Sequence, residues 1–566
     1  MVRGRDFEER LARACLVAAM AVAAVLILWF SRGTTFWIDE LAWLLQSPHL
    51  DLSEALRPHQ GHLILVTRVV YWAIFEVFGT DYLPFRVLAA VTVPATVALL
   101  FTYMRRRVSP LVALAPCLIL LFFGSDMLHV LVGNAFTVLF SICMGLAALL
   151  ALERGDGRGR IAACGFLCVG LATYSVALGF LAAAAALLVL GGQGWRSLWV
   201  VAIPGALYFA WWVWSQVHFD ATAGGGAGIS PENVLLVPAW AVQSLSAVLG
   251  ALSGLEYGFA GESPVARVGP ALALLAIIAF AWRLRSGGNS PQVWSAIGLS
   301  IGFWTIACLT ASAGRTPDSA RYLYPGAVAL LILAAAAAEG ISWNRAGLIA
   351  LAIFCAAGLG TNLILLRTAG ADLRGRYAAQ VEATFGGLDM VGPRAAGEFD
   401  PPRIANGFVP GGQSPLDFPF YVLTEAGQAP TPAYFAAARR YGSLGYDQAQ
   451  LEAQPEEARA QADAVMVAAL GLELVPGKNL GTHARCRSPR SGEGSYVAQL
   501  PRGGATLDAG SREVSVGVRR LASETVVELG KLASGEVATL RVPPDRSSRP
   551  WTLVAAGGSL KVCALR

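Results

Sequence analysis

Hydrophobic runs of membrane length alternate with short polar breaks through residues 14–366, and from Thr368 the pattern gives way to charged, Pro- and Gly-rich sequence. A helical crossing needs about 20 mostly apolar residues, and its cytoplasmic end collects arginine. Arg3, Arg5, Arg10 and Arg13 place the start of the first run, 14–30, in the cytoplasm, and Arg105-Arg106-Arg107 closes the run that begins near Phe85. On that parity everything from Ser31 to Pro84 lies outside, and the barely membrane-length piece His62–Phe78, which carries Arg68 and Glu76, reads as an interfacial helix. Further runs at 110–123, to Leu152, 198–216, 265–282, 293–310, to Ala338 and 346–366 read as crossings, and the long run ending at Gly191 reads as a hairpin turning at Thr173-Tyr174-Ser175. The segment 233–255, with Gln243, Ser244 and Ser246, reads as a second interfacial helix. The expectation is a polytopic α-helical membrane protein of about 11 transmembrane helices.

The second half has a different period. Helical stretches are expected near 431–441 and 455–470, and from about 511 short alternating segments (REVSVGVRRL, TVVELGKL, ATLRVPP, WTLVAAGG, LKVCALR) recur between turn residues. That is the signature of a small β-sandwich. The predicted division is 1–367, a membrane domain, and 368–566, a soluble domain that is β-rich toward its end and extracytoplasmic by the crossing count.

Composition narrows the class. At 55% apolar, 14% charged and a mean hydropathy of +0.54, the chain is too hydrophobic for a soluble enzyme. A multi-pass protein of the plasma (inner) membrane fits. Lysine occurs only at Lys478, Lys531 and Lys561, so an anionic ligand near the membrane must be held by arginine, histidine, a metal or backbone N–H groups. No basic stripe suited to nucleic acid and no GxxxxGK[ST] phosphate loop occurs. Seven of nine cysteines lie in apolar runs, where they act as small hydrophobes; Cys486 and Cys563 alone lie in the terminal domain, where an oxidising compartment would make them a disulfide, the alternative being two unrelated thiols.

The candidate chemistry begins just beyond the first crossing, in SRGTTFWIDELAWLLQSPHLDLSEALRPHQGH. Carboxylates at Asp39 and Glu40, between Trp37 and Trp43, form either a helix-capping anchor at the lipid surface or a reaction centre. His59 and His62, three apart, read as sharing a helical face that could meet phosphate, acceptor or metal. A second outer loop holds Asp126 and His129, with Asn134 beyond, and a late outer loop holds Arg315, Arg321 and Tyr322. Asp126 by itself reads as an exposed polar loop residue. Arg321-Tyr322 reads equally as a phosphate clamp or an interface anchor, and Trp211-Trp212-Val213-Trp214 as a sugar or prenyl platform or an aromatic belt.

The order of these features resembles the GT-C superfamily of membrane glycosyltransferases: Asp39-Glu40 in the first outer loop, an interfacial helix, Phe78-Gly79 and Pro84-Phe85-Arg86 leading into the second crossing, Asp126 in the second loop, and Arg321-Tyr322 in the late loop. The resemblance covers roughly residues 10–366. It implies a polyprenyl-phosphate-linked sugar donor, inversion, and a first-loop carboxylate as general base, with Asp39 in that role and Glu40 orienting it or binding acceptor. Partial desolvation would raise the basicity of Asp39. The departing phosphate would be met by a choice among Arg86, Arg315, Arg321 with Tyr322, His59 and His62. A divalent cation (Mg or Mn) is left open, since Asn134 stands where an acid would be expected. The acceptor is expected to be an envelope glycan, glycolipid or protein, and the membrane itself a partner; nucleic acid is not. The rival class is a non-catalytic transporter or assembly scaffold for envelope polysaccharide, which predicts internal repeats, and no clear repeat is found.

Overall fold

The computed structural model describes residues 2–192, 194–219, 230–255, 268–287, 289–311, 315–393, 430–477, 486–487 and 495–565. The chain forms two compact units. The first is Met1–Glu40, His49–Ile74 and Asp81–Arg374; the second is Leu41–Pro48, Phe75–Thr80 and Gly375–Arg566. The glycine-rich stretch 220–229 of the expected outer loop lies outside the described residues.

The helices in order are α1 (Val2–Phe30), α2 (Ile38–Gln46), α3 (Leu52–Leu56), α4 (Leu65–Phe78), α5 (Leu83–Met104), α6 (Pro110–Leu121), α7 (Leu128–Leu131) and α8 (Ala135–Leu152). They continue as α9 (Gly157–Thr173), α10 (Ala177–Leu190), α11 (Trp199–His218), α12 (Val237–Ser253), α13 (Gly269–Arg285), α14 (Pro291–Leu309), α15 (Ala320–Ala337) and α16 (Arg345–Asp372). Their starts follow ordinary capping chemistry. Asp156, Ser290 and Asn344 each accept the backbone N–H three residues on, and Pro110 and Pro291 occupy first-turn positions where no N–H is required. The expected hairpin turn is present: α9 ends at Thr173 and α10 begins at Ala177.

The faces these helices turn outward are as apolar as their core. Val17, Val25 and Trp29 on α1 are 65%, 65% and 57% exposed, and Ile353 on α16 is 66% exposed. A surface of that kind is solvated by lipid rather than water. Among the described residues eight helices are long and apolar enough to cross a membrane. About eleven crossings were expected; part of the difference is that α6, α9, α10 and α13, at 12, 17, 14 and 17 residues, fall short of about 20. The segment 233–255 was expected to lie in the interface; by length and composition Pro231–Ser253 is also apolar enough to cross. The serines that marked it as interfacial point into protein, Ser244 Oγ donating to the Pro317 carbonyl (3.3 Å) and Ser246 Oγ to Val242 (2.8 Å). Small residues let α10 and α14 approach closely: a Cβ on Gly302 of α14 would lie 3.3 Å from Gly179 of α10, and Ser295 donates across to Ala183 (2.8 Å).

α16 runs through the boundary expected at 367, and the division into units falls after Arg374. In the second unit, α17 (Ala379–Val391), α18 (Pro430–Tyr441), α19 (Gln448–Glu452) and α20 (Glu456–Leu470) precede nine strands among the described residues. These are β1 (Leu474–Pro476), β2 (Cys486–Arg487), β3 (Ser495–Gln499), β4 (Gly504–Ala509), β5 (Val514–Arg519), β6 (Val527–Leu532), β7 (Val537–Arg541), β8 (Thr552–Ala556) and β9 (Leu560–Ala564). They pair antiparallel in two sheets, ordered β1-β7-β4-β9-β2 and β3-β8-β5-β6, so the sandwich begins well before residue 511. Two carboxylates of α20 fasten helix to sheet. Asp463 accepts the N–H groups of Arg520, Leu521 and Ala522, and Glu456 those of Ser523, Glu524 and Thr525. Burial pushes the Asp463 carboxyl up to about 6 against those donors.

Cys486 and Cys563 face each other across the β2–β9 pair and are joined as a disulfide spanning 77 residues of sequence. Closing so long a loop restricts the unfolded chain. Cys486→Ser is therefore expected to destabilise the terminal domain by about 2–5 kcal/mol in denaturant titration, and the wild-type protein to change mobility on a gel when reduced.

Candidate functional site

Five stretches of the first unit build the site: the start of α2, the turn at 59–62, residues 126–129, the α9–α10 turn at 174–175, and 315–322 leading into α15. The foundation is Glu40, fully buried near the start of α2. Its carboxylate accepts from the Trp37 N–H (2.7 Å), Tyr71 OH (2.7 Å) and Tyr82 OH (2.8 Å). Tyr82 OH in turn accepts from the Gly133 N–H at 3.1 Å. Only glycine fits at 133, since a Cβ there would lie 2.6 Å from Glu40 Oε1 and 2.9 Å from Phe85. Burial raises the Glu40 carboxyl to about 7 against these donors. Glu40, expected to orient Asp39 or bind acceptor, is fully buried in this network and is not among the residues lining the cleft described below.

One residue earlier, about 100° round the helix, Asp39 turns the other way and is partly exposed. It accepts from Gln60 Nε2 (3.2 Å) and Asn134 Nδ2 (3.3 Å), and His59 Nε2 lies 3.3 Å away. Burial works to raise this carboxyl, but His59, Arg321 and the Asn134 amide outweigh it and hold it below its ordinary range. Raised basicity was expected from desolvation; the cationic and donor neighbours reverse the sign.

His59 and His62 do not share a helix. Each accepts the other's N–H at 2.9 Å, closing a two-residue turn through Gln60 (φ 49°) and Gly61 (φ 81°). Both central residues sit in left-handed conformation, as a type I′ turn requires, and Gln60 is the one non-glycine residue among those described that does so. The turn points Gln60 between opposite charges: its amide donates to Asp39 and its carbonyl accepts from Arg315 NH2 at 3.1 Å. His62 Nδ1 meets Ser175 Oγ at 2.8 Å, and its ring lies 4.4 Å from that of Tyr174. Burial, followed by Arg315, His59 and Arg321, holds His62 down to about 3, so it is neutral at working pH.

Asp126, expected to be exposed, is fully buried. It accepts from the backbone N–H groups of His129 (3.3 Å) and Tyr324 (2.9 Å), and Oδ2 meets His129 Nδ1 at 2.7 Å. Neighbouring Ser125 is pinned by Asn362 of α16, which accepts from both its N–H (3.0 Å) and its hydroxyl (2.9 Å).

Gln60, His62, His129, Arg315, Arg321 and Tyr322 line one cleft, closed on its other sides by Tyr174, Ser175 and apolar residues of α8, α14 and α15. It encloses about 630 Å³ of non-atom space, its open mouth included. Arg315 is buried and held by Gln60, whereas Arg321, at the head of α15, is exposed. Arg86 stands in the first turn of α5 beside Tyr82; it, Asp39 and His59 are not among the residues lining this cleft. Trp211 is also elsewhere, buried and donating to the Leu56 carbonyl at 2.8 Å.

Sequence reasoning missed Gln60, Tyr174 and Ser175 as site residues. The Gln-Gly pair between two histidines is a turn signal, and Tyr174-Ser175 is a polar break within an apolar run. A divalent cation does not fit the residues present. Both oxygens of Asp126 are taken by N–H donors and the imidazole, donors also surround Asp39, and no group of three or more His, Cys, Asp or Glu converges among the described residues.

No family model matches the chain, and no curated protein matches it in sequence. Among solved structures it is similar to ArnT from Cupriavidus metallidurans bound to undecaprenyl phosphate, at 14% identity and a TM-score of 0.40, over 77% of this chain and 90% of that one. At that depth of likeness, residue roles rest on this chain's own geometry.

The Glu40 anchor has a pH signature. Its carboxyl is raised from 4.5 to about 7, so the folded state holds the proton more tightly than the unfolded. The stabilisation is fully present below about 4.5 and lost as pH rises through about 7. Melting of Glu40→Gln in detergent is expected to shift in the variant's favour relative to wild type by on the order of 3 kcal/mol between pH 4.5 and 8, since each pKa unit is worth about 1.4 kcal/mol.

Proposed function

We propose that this protein is a membrane glycosyltransferase that moves a sugar, with inversion, from a polyprenyl-phosphate donor to a cell-envelope glycan, lipid or protein acceptor on the extracytoplasmic face. The observation that carries the reading is a cleft with two guanidiniums on its wall, one of them joined through Gln60, itself a lining residue, to the Asp39 carboxylate. Exposed Arg321 clamps the donor phosphate in two places, while Arg315 is held by Gln60. Neutral His62 and the Tyr322 hydroxyl supply further polar contacts.

Asp39 is the acceptor's base. Its low proton affinity in the empty cleft follows partly from Arg321. Bound phosphate neutralises that guanidinium, so the carboxylate gains basicity when the donor is in place. An acceptor hydroxyl then loses its proton to Asp39 as its oxygen attacks the anomeric carbon and the carbon–oxygen bond to phosphate breaks. A general-base step of this kind accounts for about 10²–10⁴-fold in rate.

With purified protein and a radiolabelled polyprenyl-phospho-sugar, Asp39→Asn is expected to lose about 10²–10⁴-fold in turnover while still binding polyprenyl phosphate. Arg321→Gln is expected to weaken that binding about tenfold or more, the loss of a charge-assisted contact. Undiminished lipid-phosphate release by folded Asp39→Asn removes the carboxylate from the reaction, and absence of transfer by wild type favours a transporter or scaffold.

A further inference from the structure

The Asp126–His129 pair is used by nothing above, yet it is built with care. Asp126 lies fully buried among apolar helices, with two backbone N–H groups and one imidazole nitrogen on its two oxygens. With two backbone N–H groups donating to its oxygens, Asp126 serves as an acceptor, and the hydrogen it shares with His129 is placed on Nδ1. The imidazole is then fixed in rotation and tautomer, with Nε2 left over. His129 lines the cleft, and among the described residues Nε2 has no hydrogen-bond partner. A carboxylate holding one nitrogen of an imidazole whose other nitrogen is unpaired beside a cleft is the orienter–base arrangement of nucleophilic and acid–base sites.

We propose that His129 is a second catalytic residue, an imidazolium that donates from Nε2 to the departing lipid phosphate. The inference rests on the glycosyl-transfer reading. As the bond between the anomeric carbon and the phosphate oxygen breaks, the phosphodiester monoanion becomes a monoester dianion. A donor on the oxygen that gains charge stabilises the transition state more than the ground state. The dianion, with a second pKa near 6, accepts the proton from Nε2. Protons balance: Asp39 gains one from the acceptor hydroxyl as His129 gives one to the phosphate, and exchange with solvent resets both. The other ionisable groups facing the cleft have assigned places. Arg315 is tied to Gln60, His62 to Ser175, and Tyr174 stacks on His62; Arg321 and Tyr322 stand at the head of α15.

The test is proton linkage. Polyprenyl monophosphate is titrated calorimetrically into full-length wild-type protein at pH 8 in buffers of differing ionisation enthalpy. At that pH the ligand is a dianion, so net uptake of about one proton on binding reports the imidazole. His129→Gln is expected to abolish the uptake, to weaken monophosphate binding about tenfold at pH 6, and to change affinity for the phosphodiester donor less than threefold. His62→Gln is expected to retain the uptake. In transfer assays His129→Gln should lower kcat about 10²-fold with KM for donor little changed. Binding by wild type with no proton uptake, or uptake that survives in His129→Gln, overturns the role of His129 and leaves the transferase reading intact. Failure of wild type to bind polyprenyl phosphate at all overturns the transferase reading first. If His129→Gln does not fold, the wild-type uptake and its retention in His62→Gln still decide.

Discussion

A carboxylate with no access to solvent, held by three donors from three segments, is the constraint on which the site depends. Glu40 ties the start of α2 to the middle of α4 through Tyr71 and to the head of α5 through Tyr82, and Tyr82 passes the contact to Gly133. Each donor satisfies part of a charge that would be costly to bury bare. The consequence lies next door. Because successive helical residues point about 100° apart, anchoring Glu40 inward sets Asp39 outward, beside the His59–His62 turn and the Asn134 amide. An acidic pair that looks duplicated in sequence is divided by geometry into one residue buried among donors and one facing the His59–His62 turn.

The same economy runs through the rest of the first unit. Polar groups within the bundle are few, and those present cross between segments: Asn362 pins Ser125 while donating to Ala251 (2.9 Å), and Asp126 ties the second loop to α15 through Tyr324. A polar side chain surrounded by apolar helices is expensive unless paired, so each pairing also fixes a register. The loops that carry Gln60, His129 and Arg315 are therefore positioned by buried hydrogen bonds rather than by their own regularity.

Much of this was legible in the sequence, and what was not has particular causes. Runs of apolar residues gave the helices, and Thr173-Tyr174-Ser175 gave the α9–α10 turn, because period and punctuation are local properties. The sandwich was placed by alternation, but its start was set too late: β1 has three residues and β2 two, too few to show a period. In 233–255, Ser244 and Ser246 look the same in sequence whether they face water or, as here, a carbonyl of the protein. His59 and His62 were assigned to a helical face from their spacing, whereas the Gln-Gly pair between them closes a turn. Residue types at the site were readable; the tertiary partners that turn Glu40 and Asp126 inward and divide their roles from those of Asp39 and His129 were not.

Glycosyl transfer also explains why a site of this kind gains from two proton-handling groups on opposite sides. The reaction takes a negative charge from the base and delivers one to the phosphate, so the total in the cleft is constant while its position changes. In a cleft walled by apolar helices, moving charge away from compensating groups costs far more than in water. Arg321 serves the beginning of that motion, lowering the proton affinity of Asp39 until phosphate arrives. In the proposed role His129, paired with buried Asp126, would serve the end, strengthening its hold only as the second negative charge appears. The permanent cation and the proton donor would thus act at different moments, and a third arginine in place of His129 would hold the product as firmly as the transition state.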